Sequence, residues 1–291
     1  MSNDPFAMDA GRVRAAFDAA AADYDAVAVI QAEVRQRLLE RLDLFRIAPR
    51  RILDAGCGTG HGARALLRRY RGVELVALDL APGMLRAARR RRPWLRRLDA
   101  VCGDAAALPL ADGSVDLVFS NLMLQWCNEP DQVFAEFRRV LRPGGLALFT
   151  SFGPDTLKEL RAAWRAADGH THVSRFIDMH DLGDALLRAG LGEPVMDMEH
   201  LTLTYPDVRS LMRDLKTMGA RNATSGRSRG LTGPRRLAAV ETYYEGLRRD
   251  GRLPATWEVV YGHAWAGVPR SRDKAPGETA VPVANIGRRR R

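Results

Sequence analysis

Three cysteines in 291 residues, an odd number at unrelated spacings (Cys57, Cys102, Cys127), give neither a disulfide framework nor a metal-binding pattern. Lysine occurs only at 158, 216 and 274, so the net charge of +10 comes from arginine. No apolar run approaches the ~20 residues that would span a bilayer, and the first residues lack the apolar centre of a signal peptide. These absences lead to the expectation of a soluble, cytoplasmic protein. Nucleic acid is an unfavoured partner, because no aromatic-basic interleaving accompanies the charge. Arginines at 86, 89–92, 96 and 97 and in the last four residues suit either a solvated surface or an acidic partner.

What is present is concentrated in Arg51-Ile52-Leu53-Asp54-Ala55-Gly56-Cys57-Gly58-Thr59-Gly60-His61-Gly62. An apolar run enters three alternate glycines and a helical segment leaves them, which is a strand, a turn and a helix N-terminus. Glycine permits positive φ and lets a ligand approach where a Cβ would intrude, so this turn reads as a nucleotide site. Nineteen residues beyond Gly60 a second apolar run ends at Asp79, placed to accept hydrogen bonds from ribose hydroxyls. Asp54 before the turn and Val101-Cys102-Gly103-Asp104-Ala105 after the third strand complete the set.

That set resembles the class I S-adenosylmethionine-dependent methyltransferases across roughly residues 50–150. The resemblance implies an α/β, Rossmann-like fold: a seven-stranded, mostly parallel sheet with its last strand antiparallel, under a helical cover. It implies S-adenosylmethionine as cofactor. Its binding residues would be Tyr24, Gln31, Asp54, Gly56, Cys57, Gly58, Gly60, Asp79, Leu80, Met84, Asp104, Ala105 and Asn121.

Periodicity places two helices in 10–45 and strands near 51–55, 73–79, 99–103, 115–120 and 145–151. Helices near 62–70, 82–91 and 130–141 lie between most of them. This alternation predicts parallel strands with a crevice at their carboxyl ends. Further helices are expected near 155–166, 178–189, 207–219 and 234–249, with strands at 195–204 and 256–265. The expected organisation is a flap (1–48), a cofactor core (49–152), substrate-covering helices completing the sheet (153–267) and a disordered basic tail (268–291).

No His–Asp pair is read at recognisable spacing, which favours a substrate that is its own nucleophile; a carboxylate, ionised at pH 7, needs no base. Ser120-Asn121-Leu122-Met123-Leu124-Gln125-Trp126-Cys127, Phe152-Gly153-Pro154-Asp155-Thr156-Leu157-Lys158-Glu159-Leu160, Leu215-Lys216-Thr217-Met218-Gly219-Ala220-Arg221-Asn222 and Pro254-Ala255-Thr256-Trp257-Glu258 extend the likeness. They are similar to the malonyl-acyl-carrier-protein O-methyltransferases of biotin synthesis, whose substrate is the free carboxylate of a malonyl thioester. The resemblance implies an acidic acyl carrier protein bearing malonyl, or malonyl-coenzyme A, as partner. Tyr24, on the flap, is a candidate for cation–π contact with the sulfonium. Lys158, Arg161, His170, His172 and Arg175 are candidate carboxylate partners, Arg161 favoured for its two-pronged donor face and His172 named beside it as catalytic. A methyltransferase acting on another small acid or a quinone precursor, an arginine-modifying assembly-factor relative, and a non-catalytic regulator stay open.

Overall fold

The computed structural model describes residues 6–220, 222–226 and 233–267; the tail expected to be disordered lies outside them. Seven strands form one sheet in the order β3-β2-β1-β4-β5-β7-β6. They are β1 Arg51–Ala55, β2 Glu74–Asp79, β3 Leu98–Cys102, β4 Val115–Ser120, β5 Leu141–Phe152, β6 Leu191–Tyr205 and β7 Leu253–Ala266. The first five pair in parallel, and β7 runs antiparallel between β5 and β6.

The helices are α1 Ala10–Ala20, α2 Tyr24–Val27, α3 Val29–Arg41, α4 His61–Arg69, α5 Pro82–Arg91, α6 Pro130–Val140, α7 Lys158–Ala167, α8 Met179–Arg188, α9 Val208–Thr217 and α10 Pro234–Glu245. The two expected N-terminal helices become three, because Tyr24–Val27 closes a single turn and the chain leaves helical geometry at Ala28 (φ −80°, ψ 47°).

Both faces of the central strands are covered, which is why β1, β2 and β4 read as continuous apolar runs rather than alternating ones. Leu75 and Ala77 pack into a core with α3, α4 and α10, while Val76 and Leu78 pack on the opposite face, where α6 and α8 contribute. Ile30, Val34, Leu38 and Leu42 belong to the first of these cores, so α3 is anchored to the sheet. Two outer strands exceed their expected spans. β6 and β7 pair continuously from Val195↔His263 to Tyr205↔Leu253, and the added ends are apolar as well as hydrogen-bonded, since Leu253 and Ala255 are buried and Leu203 and Tyr205 pack against the core. Where β7 passes β5, Phe149 stands opposite Gly262; a Cβ there would lie 2.3 Å from the ring, so glycine makes room for the aromatic.

Between Val115↔Leu141 and Leu117↔Leu146 the register shifts, and the Pro143-Gly144-Gly145 turn is the excess chain of β5. Gly144 has φ +80° there. Among the described residues no helix is long and apolar enough to cross a membrane.

Candidate active site

The glycine turn closes as its residues dictate. Gly56, Gly58 and Gly60 have φ of +76°, +52° and +86°. The amides of Gly56 and Cys57 both donate to the Leu78 carbonyl at 2.9 Å, tying the turn to the end of β2. Added Cβ atoms would meet Met123 at Gly56 and the Ala88 backbone at Gly60, at 2.5 and 2.7 Å, whereas at Gly58 nothing lies within 4 Å. Two glycines therefore serve packing, and the middle one leaves open space.

Asp79, at the tip of β2, faces that space. Its Oδ2 accepts from the Gly58 amide and its Oδ1 from the Ala81 amide, each at 2.9 Å. A carboxylate has about four lone-pair directions, so capacity for two further donors remains, as a ribose diol requires. Burial raises the Asp79 pKa and these backbone donors oppose the rise. Asp104, after β3, holds the Ala106 amide at 2.9 Å and also lines the cavity.

Asp54 lies beneath the turn, 2% exposed, with Oδ2 lacking a hydrogen-bond partner. Burial, reinforced by the charge of Asp79, pushes its pKa up to about 7. Burial and Asp79 likewise raise the Tyr24 hydroxyl, which stays a neutral phenol.

Tyr24, Asp79 and Asp104 line one end of a cavity of about 360 Å³, together with Gln31, Gly56, Gly58, Leu80, Met84, Ala105 and Asn121, whereas Asp54 stands behind this wall, its Oδ2 toward Gly62. Gln31 is held over the tip of β4 because Asn121 Nδ2 donates to its carbonyl at 3.2 Å. Gln31 Oε1 and Gln125 Oε1 are buried acceptors without protein donors. Leu122, at φ +51°, makes the sharp exit from β4; its amide donates to Thr150 Oγ1 at 2.9 Å and its carbonyl accepts from Gln125 Nε2 at 2.6 Å. The flap is pinned by Asp25, which accepts from Thr59 Oγ1 at 2.7 Å and from Arg91 at 2.7 Å. Orphaned acceptors, the remaining acceptor capacity of Asp79 and Asp104 and the open approach at Gly58 fit a cationic adenosyl ligand.

The other end of the cavity is apolar, with Phe152, Leu157, Leu160, Phe176, Leu215 and Trp257 in its wall. The Gly153-Pro154-Asp155-Thr156-Leu157 segment builds this part. The buried Glu258 side chain occupies the place of a Gly153 side chain, 2.5 Å from an ideal Cβ, and accepts from the Asp155 amide at 2.6 Å. Leu157, at φ +56°, then starts α7 and sends its amide to the Thr256 carbonyl at 2.7 Å.

Arg161 is not in the cavity wall. Its guanidinium donates to the carbonyls of Pro154 at 2.7 Å and Thr156 at 2.9 Å, so it braces the same segment from behind instead of standing in the wall where a carboxylate partner was expected. Lys158 is likewise turned to Asp155, at 2.8 Å. Cys57 and Gly60 are also outside the wall, the first a buried thiol. Burial raises the thiol pKa of Cys57, and that of Cys127 to about 12, so neither is a thiolate nucleophile.

A His–Asp pair is present after all. His172 lines the cavity, and its Nε2 lies 2.8 Å from Asp168 Oδ1. The imidazole stacks on the Trp164 indole at 3.7 Å between centroids and 10° between planes. Burial works to raise the Asp168 pKa, and the His170 amide and His172 ring more than offset it, so the carboxyl lies below its ordinary value. Among the described residues His172 is the sole histidine, lysine or arginine in the wall.

Residues 53–149 match a family model described as a methyltransferase domain. A Methylovorus protein (strain MP688) named malonyl-acyl-carrier-protein O-methyltransferase is 55% identical over 282 residues, covering 95% of each chain. One of the same name from Laribacter hongkongensis is 57% identical over 279 residues, covering 93% of this chain and 94% of its own. The chain belongs to the malonyl-acyl-carrier-protein O-methyltransferase family. Its fold also matches the YcgJ protein of Bacillus subtilis, with TM-score 0.58 and 16% identity over 80% of this chain and 99% of that one. A phosphoethanolamine N-methyltransferase of Haemonchus contortus, solved with S-adenosylhomocysteine, gives 0.50 and 19% over 80% and 53%.

Within this family chain, sequence reasoning passed over Asp168 and Asp25. The first carried a signal: Asp168 and His172 are four residues apart, close enough to meet. Asp25 carried none, because its partners Thr59 and Arg91 lie on distant segments.

Proposed function

We infer that this protein transfers a methyl group from S-adenosylmethionine to the free carboxylate of malonyl held as a thioester on acyl carrier protein, the step that starts pimelate formation for biotin. It acts in the cytoplasm by this reading. The observation that carries it is a cavity with a polar, acidic end at the strand tips and an apolar end where His172 is the one basic side chain among the described residues, in a chain more than half identical to relatives so named.

S-adenosylmethionine, when bound, supplies a methyl on a sulfonium that an ionised carboxylate oxygen takes in line, leaving a neutral thioether and an ester. Asp79 and Asp104 would hold its ribose and adenine, Gly58 would give the methionyl part its approach, and Asp54 would support the turn from beneath. Tyr24, a neutral ring beside Asp79, presents an aromatic face to positive charge. Orientation of this kind contributes ~7–11 kcal/mol to such reactions. The apolar wall excludes water from a step in which opposite charges are neutralised. No base is required of the protein, because the nucleophile arrives ionised.

The test is transfer of label from methyl-labelled S-adenosylmethionine. Label recovered in malonyl methyl ester on carrier protein or coenzyme A is the expected result; label in other acids, or none, overturns it.

A further inference from the structure

The Asp168–His172–Trp164 cluster has no part in holding the cofactor, and the reaction requires no base, yet it is built as carefully as the glycine turn. His172 is fixed on three sides: Nε2 by Asp168, one ring face by Trp164, and its loop by Asn222, whose Nδ2 donates to the Thr171 carbonyl. Asp168 is itself oriented by the His170 amide at 2.9 Å and approached by Arg236 at 3.7 Å. With Nε2 engaged, Nδ1 is the one ring nitrogen left to meet a ligand.

We propose that Asp168 is a positioning residue that restricts His172 to a single-point grip, through Nδ1–H, on one oxygen of the malonyl carboxylate, leaving the other oxygen free to attack. This rests on the reading above that the substrate carries a free carboxylate. Placed between two carboxylates, Asp168 and the substrate, the ring gives one N–H to each. A guanidinium in the same place would engage both oxygens in parallel and hold back the attacking lone pair. That difference accounts for a histidine where an anion must be bound and still react. Once the ester forms, the grip has no anion to hold and the neutral product leaves.

The experiment uses the full chain with S-adenosylhomocysteine bound, measuring malonyl-coenzyme A affinity by calorimetry, alongside kcat and KM for methyl transfer. Expected for His172→Gln is an affinity loss of roughly tenfold or more. For His172→Arg, affinity is kept within about threefold while kcat falls roughly tenfold or more, because both oxygens are held. For Asp168→Asn, KM rises about tenfold with kcat reduced less than about threefold. Full turnover in His172→Arg, or unchanged KM in Asp168→Asn, overturns the proposal. Should Asp168→Asn fail to fold, His172→Arg decides alone. Failure of the wild-type protein to methylate malonyl thioesters would refute the functional reading instead, so the two failures are distinguishable.

Discussion

Asp54 shows how a buried carboxyl beneath the glycine turn is kept at the expense of stability. Its carboxyl titrates near 7 in the fold against 3.8 for an ordinary aspartate, because burial and Asp79 disfavour its charge. Between those values the folded chain holds a proton that the unfolded chain has released, so stability falls as pH rises through the window and stays low above it. Asp54→Asn is therefore expected to stabilise the ligand-free protein by about 2 kcal/mol at pH 8 and by much less at pH 5. S-adenosylhomocysteine affinity should fall only a few-fold, since Asp54 lies beneath the turn that brings Gly56 and Gly58 to the cavity and not in its wall. Urea unfolding at both pH values and calorimetric titration check this; a destabilised variant at pH 8 would refute it.

At the scale of elements, the glycine turn separates packing from binding. Gly60→Ala places a methyl 2.7 Å from the Ala88 backbone at φ +86°, and a loss of about 2–4 kcal/mol is expected from strain and displacement of α5. Gly58→Ala meets open space, so only the ~1 kcal/mol of left-handed backbone strain applies, while cofactor binding is lost to the intruding methyl. Thermal unfolding paired with S-adenosylhomocysteine titration separates the two: if Gly58→Ala binds normally, that glycine does not face the ligand. The α7 start follows the same logic. Gly153→Ala forces out the buried Glu258 side chain, and about 2–4 kcal/mol of destabilisation is expected by urea denaturation, because the displaced carboxylate also loses the Asp155 amide.

For the whole molecule, the sheet separates two faces of the arginine surplus. The cavity opens at the carboxyl tips of the strands, whereas Arg92, Arg96 and Arg97 directly precede β3 and so sit at the amino ends. Arg89 and Arg91 are internal ties, to the Ala100 carbonyl and to Asp25 with Thr59. Neutralising Arg92, Arg96 and Arg97 together should leave kcat/KM for malonyl-carrier protein unchanged across salt concentrations, whereas a salt-dependent fall would place the carrier at that end. Cofactor binding should also stabilise the entire core through the flap. With S-adenosylhomocysteine at 100 times its Kd the gain is about 2.7 kcal/mol, read as a rise in Tm with slower proteolysis at α1–α3.

Wherever the relevant chemistry sits within one segment or recurs at a fixed period, the linear chain was enough. Strand–glycine–helix alternation specified the parallel sheet and its order of layers, and Asp54, the three glycines, Asp79 and Asp104 announced a cofactor site because each must occupy a strand tip. Asp168 was just as local, four residues from the His172 already named, and the pairing was simply passed over. What needed the third dimension was the direction in which long side chains turn. Arg161 and His172 are eleven residues apart and equally plausible on paper, yet Thr156 and Pro154 carbonyls draw the guanidinium behind the wall while Trp164 and Asp168 hold the imidazole in it. The same is true of Asp25 with Thr59 and Arg91, and of Gly153 with Glu258: each partner comes from a different strand or helix, and only packing selects which of several sterically possible neighbours fills the space.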